Sequence, residues 1–262
     1  MFRALYTAAS GMNAQEMNLQ NIANNLSNAN TIGFRSRQLE FEDLMYQQVV
    51  APGGAETQQT TIPAGLQLGV GARPASTEVN TTQGEIETTG NQLDVAIQGD
   101  GYFQVLTPTG TLAYTRDGSF QLNQERQIVT ADGNPIQPAI TIPANATSIT
   151  IGTDGTVSVQ EPGQTQAAQV GTIQLALFPN DSGLQGIGGN LSVPTTASGD
   201  PVVGTPGSSE GMGSLQQGML EQSNVDVVGE FVNMILAQRS YEANSKVLQA
   251  GSQMLQDLNN IS

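Results

Sequence analysis

The chain has 262 residues, enough for one or two domains at about 150 residues each. It carries 8 Lys and Arg against 23 Asp and Glu, a net charge of -15, and contains no His, Cys or Trp. These zeros exclude a Ser-His-Asp triad, a Cys-His nucleophile, imidazole acid/base chemistry and an ordinary structural zinc site, and the acidic balance argues against nucleic acid or an anionic membrane surface as partner.

The N-terminal stretch has a seven-residue rhythm. Leu5, Met12, Leu19 and Leu26 fall seven apart, with Ala8, Ile22 and Ala29 three further on and Gln15 as the exception. This a/d pattern over three to four heptads predicts a coiled-coil-type helix near 3–30, with Gly33 as its stop. Between Asn13 and Asn30, nine of eighteen residues are Asn or Gln, and Glu16 is the only charge. The outer faces therefore do not repel neighbours as Lys and Glu would.

No cleavable signal is expected here. The apolar run after Arg3 is only Ala4-Leu5-Tyr6, too short for the core of a signal peptide, so work outside the cytoplasm would need another export route.

Residues 36–91 read as an extended connector. Within it, Ala51-Pro52-Gly53-Gly54, the run Glu56–Thr61, Gly65 and Gly69 cannot build a core alone. That segment is either a flexible loop or an arm ordered only by a partner.

The middle favours strands. Leu93, Val95 and Ile97 alternate, as do Ile173, Leu175 and Leu177. Turn sequences punctuate the stretch at Thr107-Pro108-Thr109-Gly110, Asp117-Gly118, Asp132-Gly133-Asn134-Pro135 and Asp154-Gly155. Residues 150–152 and 156–159 read as the two arms of a hairpin. Residues 92–215 thus form an expected all-β domain, ending in a Gly/Ser/Thr/Pro-rich connector at 198–214.

The far end repeats the heptad device. Val227, Met234, Tyr241, Leu248 and Leu255 are seven apart, and Phe231, Ile235, Val247 and Leu258 widen the stripe. Ser223-Asn224-Val225-Asp226 predicts the helix start, with Asp226 at the capping-box position. The expected fold is α+β: paired N- and C-terminal coiled-coil-type helices with a central all-β domain.

At 1.5 Å per residue the helices span roughly 40 and 50 Å. The first has a thin seam in which two of seven apolar positions are Ala, and its Asn residues have weak helix propensity. Such a helix is marginal alone, and lateral neighbours would order it. Periodicity by itself fits equally an intramolecular helix hairpin closing a globular protein.

No chemistry of small molecules is legible. The only Lys, Lys246, follows Asn244-Ser245 rather than a glycine-rich turn, so no Walker loop exists. Gly186-Ile187-Gly188-Gly189 has Leu191 where a dinucleotide fingerprint needs its third Gly. The tightest carboxylates, Asp94/Asp100 and Glu40/Glu42/Asp43, could serve a peptidoglycan hydrolase, but they read as solvated turn and helix-end residues. Arg35, Arg37, Arg73 and Arg116 read as interface or surface ion-pair residues rather than as an anion site. No catalytic, cofactor-binding or metal-binding residue is expected.

Three motifs resemble one family, the axial (rod and hook) proteins of the bacterial flagellum. The first is Ser10-Gly11-Met12-Asn13-Ala14-Gln15 with Asn21–Arg35, which includes Asn24, Asn25, Asn30, Gly33 and Phe34. The second is Gly99-Asp100-Gly101-Tyr102-Phe103 with Tyr114–Phe120. The third is Gly218–Asp226, with Ser223, Asn224 and Asp226, followed by Gln238–Asn244, with Arg239 and Asn244. The family often has a Gly in the turn after Phe120, where this chain has Glu125-Arg126-Gln127.

The resemblance implies a non-enzymatic subunit, exported by the flagellar type III apparatus without a cleaved signal and polymerising with itself outside the inner membrane. It implies an inner core domain built from residues 1–35 and 216–262, and an outer β domain at 92–215. The chain length and the segment near 51–68 are most similar to distal-rod members; proximal-rod and short hook members are the alternative. The implied location is the basal body, from periplasm to outer membrane. The implied partners are proximal-rod proteins, the hook protein or hook–rod junction, and the surrounding ring (bushing) proteins; neither nucleic acid nor direct membrane insertion is implied. Assembly is then expected through Leu5, Met12, Leu19, Ile22 and Leu26 on one helix and Phe231, Met234, Tyr241, Leu248 and Leu255 on the other.

Overall fold

The structure is a computed structural model that describes residues 2–50, 55–57, 60–61, 64–164, 166–208 and 211–261. The chain forms two compact units. One contains residues 1–27, 37–78 and 226–262; the other, called the β unit below, contains 28–36 and 79–225. The architecture is α+β, with one long helix at each end of the chain and strands between. Among the described residues, no helix is long and apolar enough to cross a membrane.

The helices are α1, Phe2–Ser27, and α2, Val227–Ile261. They lie side by side and antiparallel. A Cβ on Gly251 would overlap Leu5 Cδ2, a Cβ on Gly11 would come within 2.8 Å of Asn244 Nδ2, and Asn25 Nδ2 donates to Glu230 Oε1 at 2.8 Å. Small residues permit this approach: Ala8 and Ala14 are buried on α1, Ala237 and Gly251 on α2.

Both helix ends differ from the sequence expectation. The first helix stops at Ser27, so Gly33 is not its stop; it sits beyond a run of turns, with φ 66. Asp226 is the N-cap of α2 rather than its third residue: the Val228 N–H donates to Asp226 Oδ1 at 3.1 Å, and the Glu230 N–H to its carbonyl at 2.9 Å.

The first unit also holds three two-stranded ladders: Arg37–Asp43 with Ala72–Val79, Gln47–Val50 with Leu66–Leu68, and Ala55–Thr57 with Thr60–Thr61. The arm near 51–68 therefore contains strand residues, although 51–54, 58–59 and 62–63 lie outside the described residues.

In the β unit an antiparallel six-stranded sheet runs in the order Gln185–Gly188, Leu191–Val193, Leu112–Thr115, Tyr102–Leu106, Leu175–Leu177, Val202–Gly204. Its central strand is buried on both faces, and side chains of period two sort to each. Phe103 and Val105 join the main core with Val95, Ile97, Phe120, Ile136 and Leu215. Tyr102 joins Tyr114, Ala176, Phe178 and Leu184 on the other face. The aromatic rings meet edge to face: Tyr114 on Phe178 at 4.8 Å and Phe103 on Phe120 at 5.0 Å.

Ser148–Ile151 and Thr156–Gln160 form the expected hairpin, with Ile151 opposite Val157. The stretch 198–214 is not a connector: Ser198 is fully buried, and Val202–Gly204 forms an edge of the large sheet. Its Gly and Pro content comes from sharp turns inside the unit. At the turn after Phe120, Arg126 adopts φ 60, the left-handed conformation that glycine favours. Its Nε donates to the Ile142 carbonyl at 3.1 Å, offsetting part of that strain.

Candidate functional site

The helix pair presents two different faces. On α1, Ile22 is buried at 3% exposure, and Leu5, Met12, Leu19 and Leu26 are half-buried. On α2, Met234, Tyr241, Leu248 and Leu255 are half-buried on the stripe that includes buried Ala237 and Gly251. Phe231 is off that stripe. It is 49% exposed and groups with Val228, Val232, Ile235 and Leu236, all exposed, on the opposite face of the helix. A period of 3.6 accounts for this grouping, since 228, 231, 232 and 235 are one-turn neighbours of each other. The Leu258 side chain lies outside the described residues.

The first three turns of α2 are thus apolar nearly all round, interrupted by Glu230 and Asn233. A helix of that composition is ordinarily covered on every side, and a contiguous exposed apolar patch marks an interaction surface. Among the described residues, nothing covers Val228, Val232, Ile235 and Leu236.

Asn residues in α1 serve the strand that follows it. Asn25 is 2% exposed; its Nδ2 donates to the Arg37 carbonyl (2.9 Å) as well as to Glu230, and its Oδ1 accepts the Arg37 N–H at 3.0 Å. Asn21 Nδ2 donates to the same carbonyl. Asn24 offers its carbonyl to Ser27 Oγ at 2.9 Å, and Asn30 lies exposed in the turn. Asn244 faces Gly11, and Arg239 pairs with Glu242 one turn away on the exposed surface, 3.1 Å apart.

In the β unit the three motifs converge on a buried hub. Arg116 is 4% exposed. Its Nη1 donates to the Gly99 and Gly101 carbonyls (2.9 and 2.6 Å), and its Nη2 lies 2.8 Å from Glu221 Oε2. Glu221 Oε1 accepts the Gly84 N–H at 3.2 Å, and its carbonyl accepts the Gly33 N–H at 2.8 Å. Arg35 reaches toward Asp181 at 3.9 Å, and its guanidinium lies 5.9 Å from the Tyr102 ring centre; Arg116 approaches the same ring at 6.0 Å.

Burial sets the titration of this hub. It is the main cause that pushes Tyr102 up to about 12, with Arg35 opposing and Asp181 reinforcing the shift. Burial also raises the Asp181 carboxyl, against the Tyr102 hydroxyl and Arg35. It lowers the Arg116 guanidinium, against the field of Glu221. Arginine nevertheless stays charged, so the hub holds a permanent cation that Glu221 must balance.

Gly33 is required here twice. Its φ is 66, and a Cβ would lie 2.7–2.8 Å from backbone atoms of Arg116 and Asp117. Gly90 has φ 73 but open space around it. Gly90→Ala should cost roughly 1 kcal/mol from conformation alone. Gly33→Ala should cost about 2–3 kcal/mol, because strained backbone and collision add; thermal melting of the two variants side by side checks the difference.

The Arg116 and Arg35 side chains are buried rather than on the surface, and the pairing of Arg116 with Glu221 was not legible. One signal was available: Arg116 is the sole cation between Arg73 and Arg126, set among strand residues. Of the carboxylates weighed for hydrolysis, Asp94 is buried in its turn rather than solvated, and Glu40, Glu42 and Asp43 lie on a strand rather than at a helix end. Asp94 accepts Thr89 Oγ1 and Asn91 Nδ2 at 2.6 and 2.9 Å, and Glu42 pairs with Arg73.

The described residues thus form a helix pair from the two ends of the chain and a β unit whose buried hub draws on all three motifs. Three family models match: flagella basal body rod protein over residues 5–35, the flagellar hook protein FlgE/F/G D1 domain over 96–159, and the flagellar basal body rod FlgEFG protein C-terminal region over 216–261. The flagellar basal-body rod protein FlgG of Buchnera aphidicola (subspecies Baizongia pistaciae) is 50% identical over 258 residues, covering 98% of this chain and 99% of that protein. FlgG of Borreliella burgdorferi is 47% identical over 263 residues, covering 100% and 99%, and FlgG of Bacillus subtilis is 38% identical over 266, covering 100% and 99%. The chain belongs to the flagellar basal-body rod protein family, and more narrowly to its FlgG branch. It is a structural protein rather than an enzyme.

Proposed function

We propose that the chain is the subunit of the distal rod, polymerising helically into a rigid hollow shaft that carries torque across the periplasm from motor to hook. The observation that carries this reading is the exposed apolar face of α2 at Val228, Phe231, Val232, Ile235 and Leu236. Its natural cover is other copies of the chain. Heterologous contacts that do not close generate a helical tube.

In that tube α1 and α2 pack as coiled-coil-type helices at the inner wall. Leu5, Met12, Leu19, Ile22, Leu26, Met234, Tyr241, Leu248 and Leu255 fill the seams, and Phe231 joins the face between copies. Neighbouring copies complete the ordering of helices that are marginal in isolation. The outer β domain (92–215) supplies an acidic surface that keeps free subunits soluble: the β unit holds thirteen Asp and Glu against three Arg, of which Arg35 and Arg116 face inward.

The partners are further copies, proximal-rod proteins below, the hook protein or hook–rod junction above, the ring proteins around the shaft, and the type III export apparatus that delivers the chain without signal cleavage. The arm near 51–68 reaches neighbouring copies and holds the tube straight. Exposed Leu66 and Leu68 at its end, exposed Val49 on the strand they pair with, and exposed Tyr46 just before that strand favour such a contact.

Electron microscopy of polymers from full-length chain and from a 51–68 deletion tests the reading. Straight tubes from the first and curved ones from the second are expected. A chain that forms no polymer at any concentration contradicts the assembly itself, and a deletion polymer of unchanged stiffness contradicts the role of the arm.

A further inference from the structure

One side chain in the β unit has every polar position occupied by distant parts of the sequence. Asn224 Oδ1 accepts the Ser36 N–H at 2.7 Å. Its Nδ2 donates to the Asn80 and Thr82 carbonyls at 3.0 and 2.8 Å. Its backbone N–H donates to the Phe34 carbonyl at 3.3 Å, and the Asn80 N–H donates to the Ser36 carbonyl at 2.9 Å. Three passes of the chain, 34–36, 80–82 and 224, are thereby fastened at one residue. Just beside them the Gly33 N–H donates to the Glu221 carbonyl, and the buried Arg116 holds Glu221.

We infer that Asn224 is a positioning residue for assembly: it ties together, on the β unit, the two chain segments that lead into α1 and α2 before any neighbouring copy is bound. None of its hydrogen bonds involves either helix, and every partner belongs to the β unit. The tie therefore persists when the helices are unpaired. Ser36 and Asn224 are 188 residues apart in sequence. Fastening them turns the pairing of two remote ends into the closing of a short helical hairpin, with far less chain entropy to lose. Asparagine is specific for the task, because the site needs one acceptor and a two-proton donor on a short stem. Aspartate keeps the shape but turns an oxygen toward the Asn80 and Thr82 carbonyls.

This inference deepens the assembly reading and rests on it. The test uses the full chain, dilute and then at rising concentration. In dilute wild-type protein the Ser36 and Gly33 amides should exchange with solvent at least about 100-fold more slowly than in an unstructured peptide. Asn224→Asp should release the Ser36 amide and raise the concentration at which polymer appears by about tenfold or more, while the β unit melts near its wild-type temperature. Unprotected Ser36 in the dilute wild type overturns the proposal, and so does an Asn224→Asp chain that polymerises at the wild-type concentration. Should Asn224→Asp fail to fold, the wild-type exchange measurement alone decides. A wild type that never polymerises while Ser36 is protected leaves the tie standing and removes the assembly reading.

Discussion

An Ile235→Asp chain folds its β unit like the wild type and does not polymerise. Ile235 is 56% exposed in the single chain, in the middle of the face that includes Val228, Phe231, Val232 and Leu236. A charge there meets water in the monomer, so folding loses little. In the proposed polymer the same position is covered, and an unpaired carboxylate buried at a contact costs several kcal/mol. At 1.4 kcal/mol per tenfold, the concentration needed for assembly rises by more than about 100-fold. Sedimentation of polymer across a concentration series, with thermal melting of the dilute variant, measures both parts. Leu19→Asp is the informative contrast. Leu19 is half-buried on α1 in the single chain, so its substitution costs folding as well as assembly.

Glu221→Gln lowers the stability of the β unit by about 3–5 kcal/mol, the penalty for leaving a buried charge without its partner. Arg116 and Glu221 have side-chain exposures of 1% and 2%, and Arg116 Nε has no hydrogen-bond partner among the described residues. The pair is therefore poorly compensated, and removing one half is worse than replacing both. At roughly 2–4 °C per kcal/mol for a unit of this size, the melting temperature should fall by about 10 °C. The exposed Arg239–Glu242 pair supplies the control, since Arg239→Ala should cost less than about 0.5 kcal/mol. Calorimetry of the three proteins distinguishes a buried ionic hub from ordinary surface charge.

The α+β architecture was readable because its signals are local. Seven-residue spacing from Leu5 to Leu26 and from Met234 to Leu255 marks helices whatever they pack against, and Asp154-Gly155 between Ile151 and Val157 marks a hairpin by turn chemistry. Expectations failed where the meaning of a residue depends on something distant. Gly33 was read as a helix stop because glycine commonly ends helices; its need arises instead from the backbone of Arg116, over eighty residues away. The stretch 198–214 resembled a connector by composition, but Ser198 is buried and Val202–Gly204 completes a sheet. Phe231 fits a seven-residue rule loosely, and only its exposure assigns it to the outward face. Asn224 shows the limit most clearly, since an asparagine before a helix suggests a cap until its partners at 34, 36, 80 and 82 are seen.

The most direct test of this account is a density map of the polymer formed by the full chain. Val228, Phe231, Val232, Ile235 and Leu236 of each copy should be covered by neighbouring copies, with the helix pairs lining the tube. A map in which that face of α2 is open to solvent would contradict the account.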